Sequence, residues 1–329
     1  MLRTLPDPHG QGTGEGKRMT RRGWLLFAAM GVIWGIPYLM IKVVVDAGVA
    51  PGFLVFARTA IGAVLLLPVA VRQGAVRPAL AHWRPVLAFA AIEIGITWYL
   101  LNSAEEKLSS SLVALLIAMV PLLGTLLAWR LGDRSVLSPT RLAGLAIGLG
   151  GVGVVVGLNL TSGGTPAWAL GAVFLTSVGY SIAPMIADRK LKDVPGLGVT
   201  AVSLTVVALV YLPFAVLQAP AHLPRFNVLA SMVALGVVCT ALAFLCFFAL
   251  ITEVGAVRAT VITYVNPAVA LLCGVALLGE RLTAGILIGF PLVLLGSYLA
   301  TRKNAQVVAE AVESVDVAAV APSGLRVAD

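Results

Sequence analysis

The chain has 329 residues, of which 59% are hydrophobic and 12% charged, against roughly 45–50% and about 25% in a soluble domain. That excess of apolar side chains is more than a water-soluble core of this size needs, so the composition excludes an ordinary soluble protein and points to lipid. The formal charge of +8 would suit nucleic acid if it were clustered, but it is parcelled out between apolar runs, so no nucleic-acid partner is expected.

Residues 1–22 are polar, basic and rich in Gly, and read as a disordered tail. A spanning helix needs about 20 mainly apolar residues. Ten such stretches follow, at roughly 24–43, 52–71, 86–104, 108–129, 142–158, 168–187, 197–218, 228–250, 256–278 and 283–301. The first is too long for the apolar segment of a signal peptide and reads as the first spanning helix. The second carries one charge, Arg58, and the third one, Glu93. The fifth and sixth lie in a single uncharged run that the turn formers Asn159 to Pro166 divide. Residues 302–329 form a second tail.

Alternate loops hold most of the basic residues. One side collects Arg72, Arg77, Arg84, Arg130, Arg134, Arg141, Arg189, Lys190, Lys192 and Arg258 together with both tails, and the other holds Lys42, Lys107, Arg225 and Arg281. Lys and Arg accumulate on the cytoplasmic side of spanning proteins. The pattern therefore predicts a multi-pass protein of a bacterial inner (plasma) membrane with both termini cytoplasmic and the bilayer as its main partner. Cys239, Cys246 and Cys273 fall inside predicted helices without metal-ligand spacing, and His9, His82 and His222 lie far apart. No metal and no cofactor are expected.

The core repeats itself. Trp24 to Gly35 matches Trp168 to Gly179 at its two ends, Ala118 to Pro121 corresponds to Tyr264 to Pro267, and Gly132-Asp133-Arg134 to Gly279-Glu280-Arg281. The unit is five helices, giving one repeat at 23–158 and another at 168–301, joined by 159–167. An odd number of spans per repeat sets the two copies in opposite orientations. Inverted repeats usually place a substrate site at their interface, near the bilayer midplane.

The elements at 32–42 (VIWGIPYLMIK), 56–68 (FARTAIGAVLLLP), 109–134 and 259–283 resemble bacterial EamA-type members of the drug/metabolite transporter superfamily. The resemblance spans about residues 24–301 and includes a helix–Pro–helix–G-[DE]-R pattern twice over. It implies an all-α integral membrane fold, ten transmembrane helices as two inverted five-helix repeats around a central cavity. It also implies secondary transport by alternating access, often export of amino acids or related metabolites. Asp133 is a departure, since Glu is commoner there.

Ionisable groups within spans are costly and mark function by default. Arg58 sits about 9 Å inside its helix at 1.5 Å per residue. It can snorkel, find a structural partner, or anchor a substrate carboxylate or phosphate. Glu93 is offset from Arg58 by roughly 10 Å along the membrane normal by the same rise, so no direct ion pair is expected. It can couple protons, contact an ammonium, or stay protonated against a neighbouring helix. Arg58 falls level with Trp98 and Tyr99, where a cation–π contact is reasonable; with Asn102 these can line a cavity or belong to an interfacial belt.

Pro37, Pro121, Pro184 and Pro267 are expected to kink their helices, each withdrawing the N–H that would bond Ile33, Ile117, Tyr180 or Thr263. Pro121 and Pro267 occupy matching places near the midplane, and Thr263, Tyr264 and Asn266 add polar groups beside the second. Gly144, Gly148, Gly153 and Gly157 read as helix-packing positions.

No P-loop is present, so ATP hydrolysis is unsupported. An integral-membrane lipid-modifying enzyme would need clustered Asp, His or Cys, and the acids here are scattered. A channel lacks rings of charge or a carbonyl filter. The reading is a secondary transporter, not an enzyme, that exports a small anionic or zwitterionic metabolite with protons as the candidate coupling ion. An uptake permease of the same fold is the alternative, and a monomer or weak homodimer is expected.

Overall fold

The computed structural model describes residues 20–161, 165–254, 259 and 262–301. Residues 1–19 of the expected N-terminal tail, the C-terminal tail from 302 and most of 256–261 lie outside the described residues, while Arg21 and Arg22, expected in the tail, open the first helix behind the N-cap Thr20. The helices are α1 (Arg21–Asp46), α2 (Pro51–Arg72), α3 (Trp83–Glu105), α4 (Ser110–Arg130), α5 (Pro139–Thr161), α6 (Ala167–Lys190), α7 (Gly196–Leu217), α8 (Phe226–Val254), α9 (Ile262–Leu278) and α10 (Ala284–Thr301). Among the described residues, nine of these are long and apolar enough to cross a membrane, and α9 is a shorter apolar helix. The protein is an all-α integral membrane protein of ten helices. Large apolar side chains such as Leu25, Val64, Leu209, Val216 and Leu272 stay exposed, as lipid-facing positions should.

Packing obeys the repeat. α1 packs on α8 and α9, and its counterpart α6 packs on α3 and α4, while α2 lies along α7 and α5 along α10. The close approaches show the direction. Gly144 meets Ala300 and Gly151 meets Leu292, and likewise Gly52 meets Phe214 and Gly62 meets Leu204. Contacts that rise in one helix and fall in its counterpart mean antiparallel pairs, so the five-helix repeats α1–α5 and α6–α10 are inverted.

The α5–α10 pair is a backbone seam. A Cβ on Gly296 would overlap the Cα of Gly148, and one on Gly144 would lie 2.8 Å from the Gly296 carbonyl oxygen. Gly144 and Gly148 pack as expected, but a Cβ added at Gly153 or Gly157 would point into open space. Gly151 completes the face instead: 144, 148 and 151 follow the i, i+4, i+7 stripe, and 153 and 157 fall off it.

The prolines divide differently from expectation. Pro37 opens a new helical segment after a break at Ile36, and Pro121 follows a break at Ala118–Met119. Pro184 and Pro267 sit inside continuous helices. At the α4 break, Ser297 of α10 donates to the Ala118 carbonyl (2.9 Å) and Ser181 of α6 to the Val120 carbonyl (3.0 Å). Those hydroxyls replace the bonds that an interrupted helix loses in lipid. Two further irregularities occupy matching places: α3 widens to a π-helix at Ala90–Gly95 and α8 does so at Val237–Leu242.

Candidate functional site

Arg58 is the eighth residue of α2 and is buried. Its guanidinium carbon lies 3.7 Å from the centroid of the Trp98 ring, a contact worth about 2 kcal/mol when water is excluded. Its Nε donates to Thr240 Oγ1 (2.9 Å) and Nη2 to the Cys239 carbonyl (3.4 Å). Both partners belong to the π-helical stretch of α8, where the widened turn re-aims carbonyls that a regular helix would keep. Thr240 in turn donates to the Leu235 carbonyl five residues back (2.8 Å). Arg58 has no carboxylate within 4.0 Å among the described residues, and Nη1 makes no hydrogen bond there. Tyr38 of α1, Tyr180 of α6 and Glu105 of α3 lie within its electrostatic range.

The polar face of α3 continues from Trp98 at helical spacing. Asn102 and Glu105 follow it at i+4 and i+7, and both are buried. The amide oxygen of Asn102, one carboxylate oxygen of Glu93 and both carboxylate oxygens of Glu105 have no hydrogen-bond partner among the described residues. Buried polar atoms are nearly always paired, so this concentration on one helix is unusual. Glu93 lies within the α3 π-helix and faces the electrostatic neighbourhood of Tyr180, not Arg58. Sequence reasoning placed Glu105 in a loop and missed it; the phase of Trp98 and Asn102 was the available signal.

Tyr99 is a correction. One residue from Trp98 turns it about 100° around the helix, so it does not close the same wall. It is 39% exposed and lies beside Tyr211 in a tilted ring pair, centroids 6.2 Å apart. With Ser103, Glu106, Trp168 and Phe174 it lines a groove of about 660 Å³ between α3 and α6, on the surface of the bundle.

The residues around Pro267 form a separate group. The Asn266 amide, oriented to satisfy both acceptors, donates to the carbonyls of Ile262 (3.0 Å) and Gly31 (3.2 Å). The Tyr264 hydroxyl meets Thr301 Oγ1 (2.5 Å) and the Ser297 carbonyl (3.3 Å). Thr263 is exposed and has an interaction of its own. Tyr264 thus reaches the end of α10, and Ser297 links it to the α4 break. The two matched segments meet through a hydrogen-bonded junction in which Tyr264 bonds the Ser297 carbonyl and Ser297 bonds the Ala118 carbonyl.

The repeat motif closes one end of the bundle. Glu280 accepts from Ser110 N (2.7 Å) and Ser110 Oγ (2.9 Å) through one oxygen, and from Ser111 N (2.9 Å) and Ser111 Oγ through the other. A carboxylate at a helix N-terminus satisfies orphan N–H groups and complements the dipole. Gly279 takes φ +66°, and its counterpart Gly132 φ +102°, the left-handed region open to glycine. Gly274 lies under the clasp: a Cβ there would fall 2.5 Å from Glu280 Oε2 and 2.9 Å from Ser110 Oγ.

A ten-helix inverted repeat built around buried charges defines a membrane transporter, and the comparisons agree. The profile of the EamA-like transporter family matches residues 21–157 and again 167–302, so the chain belongs to that family. The inner membrane transporter YedA of Escherichia coli K12, described as uncharacterized, is 27% identical over 292 residues, covering 84% of this chain and 91% of its own. An uncharacterized transporter of Archaeoglobus fulgidus is 23% identical over 85% of this chain and 99% of its own, and YvbV of Bacillus subtilis, also an uncharacterized transporter, is 24% identical over 85% and 92%. A solved crystal structure at 23% identity shares the fold, with a TM-score of 0.60 over 88% of this chain and 98% of the other.

Proposed function

We propose that the protein is a secondary transporter, not an enzyme, which exports a small anionic or zwitterionic metabolite, such as an amino acid, across a bacterial inner membrane by alternating access. Both termini are cytoplasmic in this reading, from the Lys and Arg asymmetry of the loops. The observation that carries it is Arg58: a guanidinium held inside the bundle by a ring face, a hydroxyl and a carbonyl, with Nη1 left for a further acceptor. Desolvating such a group without a counter-charge is costly, and an incoming carboxylate answers that cost with charge-assisted bonds. The Trp98 ring fixes the plane of the fork, and Glu93 and Tyr180 offer acceptors to an ammonium end.

The test begins with a metabolite-resistance screen of cells expressing and lacking the protein. For the solute so identified, Arg58→Ala should abolish efflux and Arg58→Lys should lose most of it, because a point charge does not reproduce the planar fork. Both variants must remain membrane-inserted and monodisperse. Normal efflux by a folded Arg58→Ala protein would remove the anchor.

A further inference from the structure

We propose that Glu105 is the proton-binding carboxyl of the transport cycle, and that its charge state controls the Glu280 clasp. The inference rests on the transporter reading. It starts from three buried acceptor oxygens without partners: Asn102 Oδ1 and both oxygens of Glu105, three residues apart on one face of α3. Residues at i and i+3 are neighbours on a helix surface. Glu105 is 0% exposed, and an ionised carboxylate sealed in this way with no donor is expensive. One proton resolves it: the neutral acid gains an O–H donor, and Asn102 Oδ1 is the acceptor at that spacing.

The ionised state has its own support. The charged and titratable groups within electrostatic range of Glu105 are Lys42, Asp46 and Tyr38 of α1, Arg58 of α2 and Glu280 just past the end of α9. Lys42 Nζ already donates to the Glu105 backbone carbonyl (2.9 Å) and pairs with Asp46 (2.8 Å). An ammonium has three donors, and the third can turn to the Glu105 carboxylate once the proton has left for water. A metal cation is the weaker occupant, because two cations of the chain, Lys42 and Arg58, already lie within electrostatic range of the carboxyl. A new negative charge at Glu105 repels Glu280, which clasps the start of α4 across the repeat boundary. Protonated, Glu105 leaves the clasp shut; ionised, it loosens it.

Two readouts test this without a transported solute. In an infrared pH titration of the purified full-length protein, Glu105→Gln should remove one protonated-carboxyl band that Glu93→Gln leaves in place. Separately, Leu108→Cys, beside the clasp and buried, should react with a membrane-impermeant maleimide several-fold faster as pH rises. In the Glu105→Gln background its rate should be flat, with Lys107→Cys as the exposed control. A carboxyl spectrum unchanged by Glu105→Gln, or pH-dependent labelling that survives it, overturns the proposal. If Leu108→Cys fails to fold, the infrared arm alone decides. Failure to find any exported solute would instead count against the transporter reading and would leave both readouts intact.

Discussion

The two repeats share a backbone and divide the chemistry. α2 and α7 are each 22 residues long, and where α2 carries Arg58 as its eighth residue α7 carries Ser203. The π-helical stretches of α3 and α8 are each six residues, and Glu93 in the fourth place of one corresponds to Thr240 in the fourth place of the other. Carried further along the same pairing, Trp98, Asn102 and Glu105 correspond to Leu245, Ala249 and Thr252. The first repeat therefore supplies the buried charges, and the second supplies a neutral cradle for them: Thr240 and the Cys239 carbonyl hold Arg58. Geometry was kept through the duplication and polarity was not. The lesson is that a symmetric scaffold can host one off-axis site.

The strongest way to break this comparison is to exchange the counterparts. Arg58→Ser with Ser203→Arg preserves composition and moves the guanidinium to the other half, away from Trp98. Efflux of the screened solute should be lost as in Arg58→Ala, by more than the roughly 10- to 100-fold that a single charge-assisted contact of about 1.5–3 kcal/mol represents. Activity retained by the exchanged protein would mean the repeats are chemically equivalent after all.

A smaller contrast lies within α3. Trp98→Ala should cost about 30-fold in transport, in line with a desolvated cation–π contact of about 2 kcal/mol. Tyr99→Ala, one residue on, should stay within a factor of two of wild type, because it lies on the outer groove. Equal losses in the two efflux assays would mean the helix phase is misassigned.

The third contrast concerns packing. Gly274→Ala should lower the stability of the purified protein by about 1–3 kcal/mol, the usual range for overpacking, because the methyl displaces Glu280 from Ser110 and Ser111. Gly153→Ala, with open space before it, should leave the thermal midpoint in detergent unchanged or slightly raised. A Gly274→Ala protein as stable as wild type would show that the clasp gives way without cost.

The spans and the repeat were legible because lipid makes hydropathy decisive: backbone polar groups must be satisfied within helices, so the apolar runs and the helices coincide. Depth arithmetic brought Arg58 level with Trp98 and Tyr99 together, and the structure puts it on Trp98. What resisted reading depended on phase or on partners in another helix. Glu105 sits in the polar string Glu105-Glu106-Lys107, which reads as loop until Trp98 and Asn102 fix the face. Tyr99 was assigned by depth, which says nothing about direction around the helix. Pro121 breaks its helix where Ser181 and Ser297 stand ready to accept the loss, and Pro267 does not break its own; that difference lies in α6 and α10. The π-helical stretches left no trace, since Ala90 to Gly95 and Val237 to Leu242 share no residue pattern.

The glycine seam between α5 and α10 limits how the molecule can rearrange. With Gly148 pressed on Gly296, a slide of one residue would carry Leu295 or Ser297 into a gap that has no room for a side chain. A full-turn step of about 5.4 Å would bring Leu292 or Ala300 to the same spot. The pair is locked in register and behaves as a fixed post. In the alternating-access reading proposed above, rearrangement then falls to the elements whose ladders are already interrupted: α1 at Ile36, α4 at Ala118–Met119, and the widened turns of α3 and α8. Of these joints, the widened turn of α8 holds Arg58 directly, and that of α3 lies on the helix that carries Trp98 and Glu105.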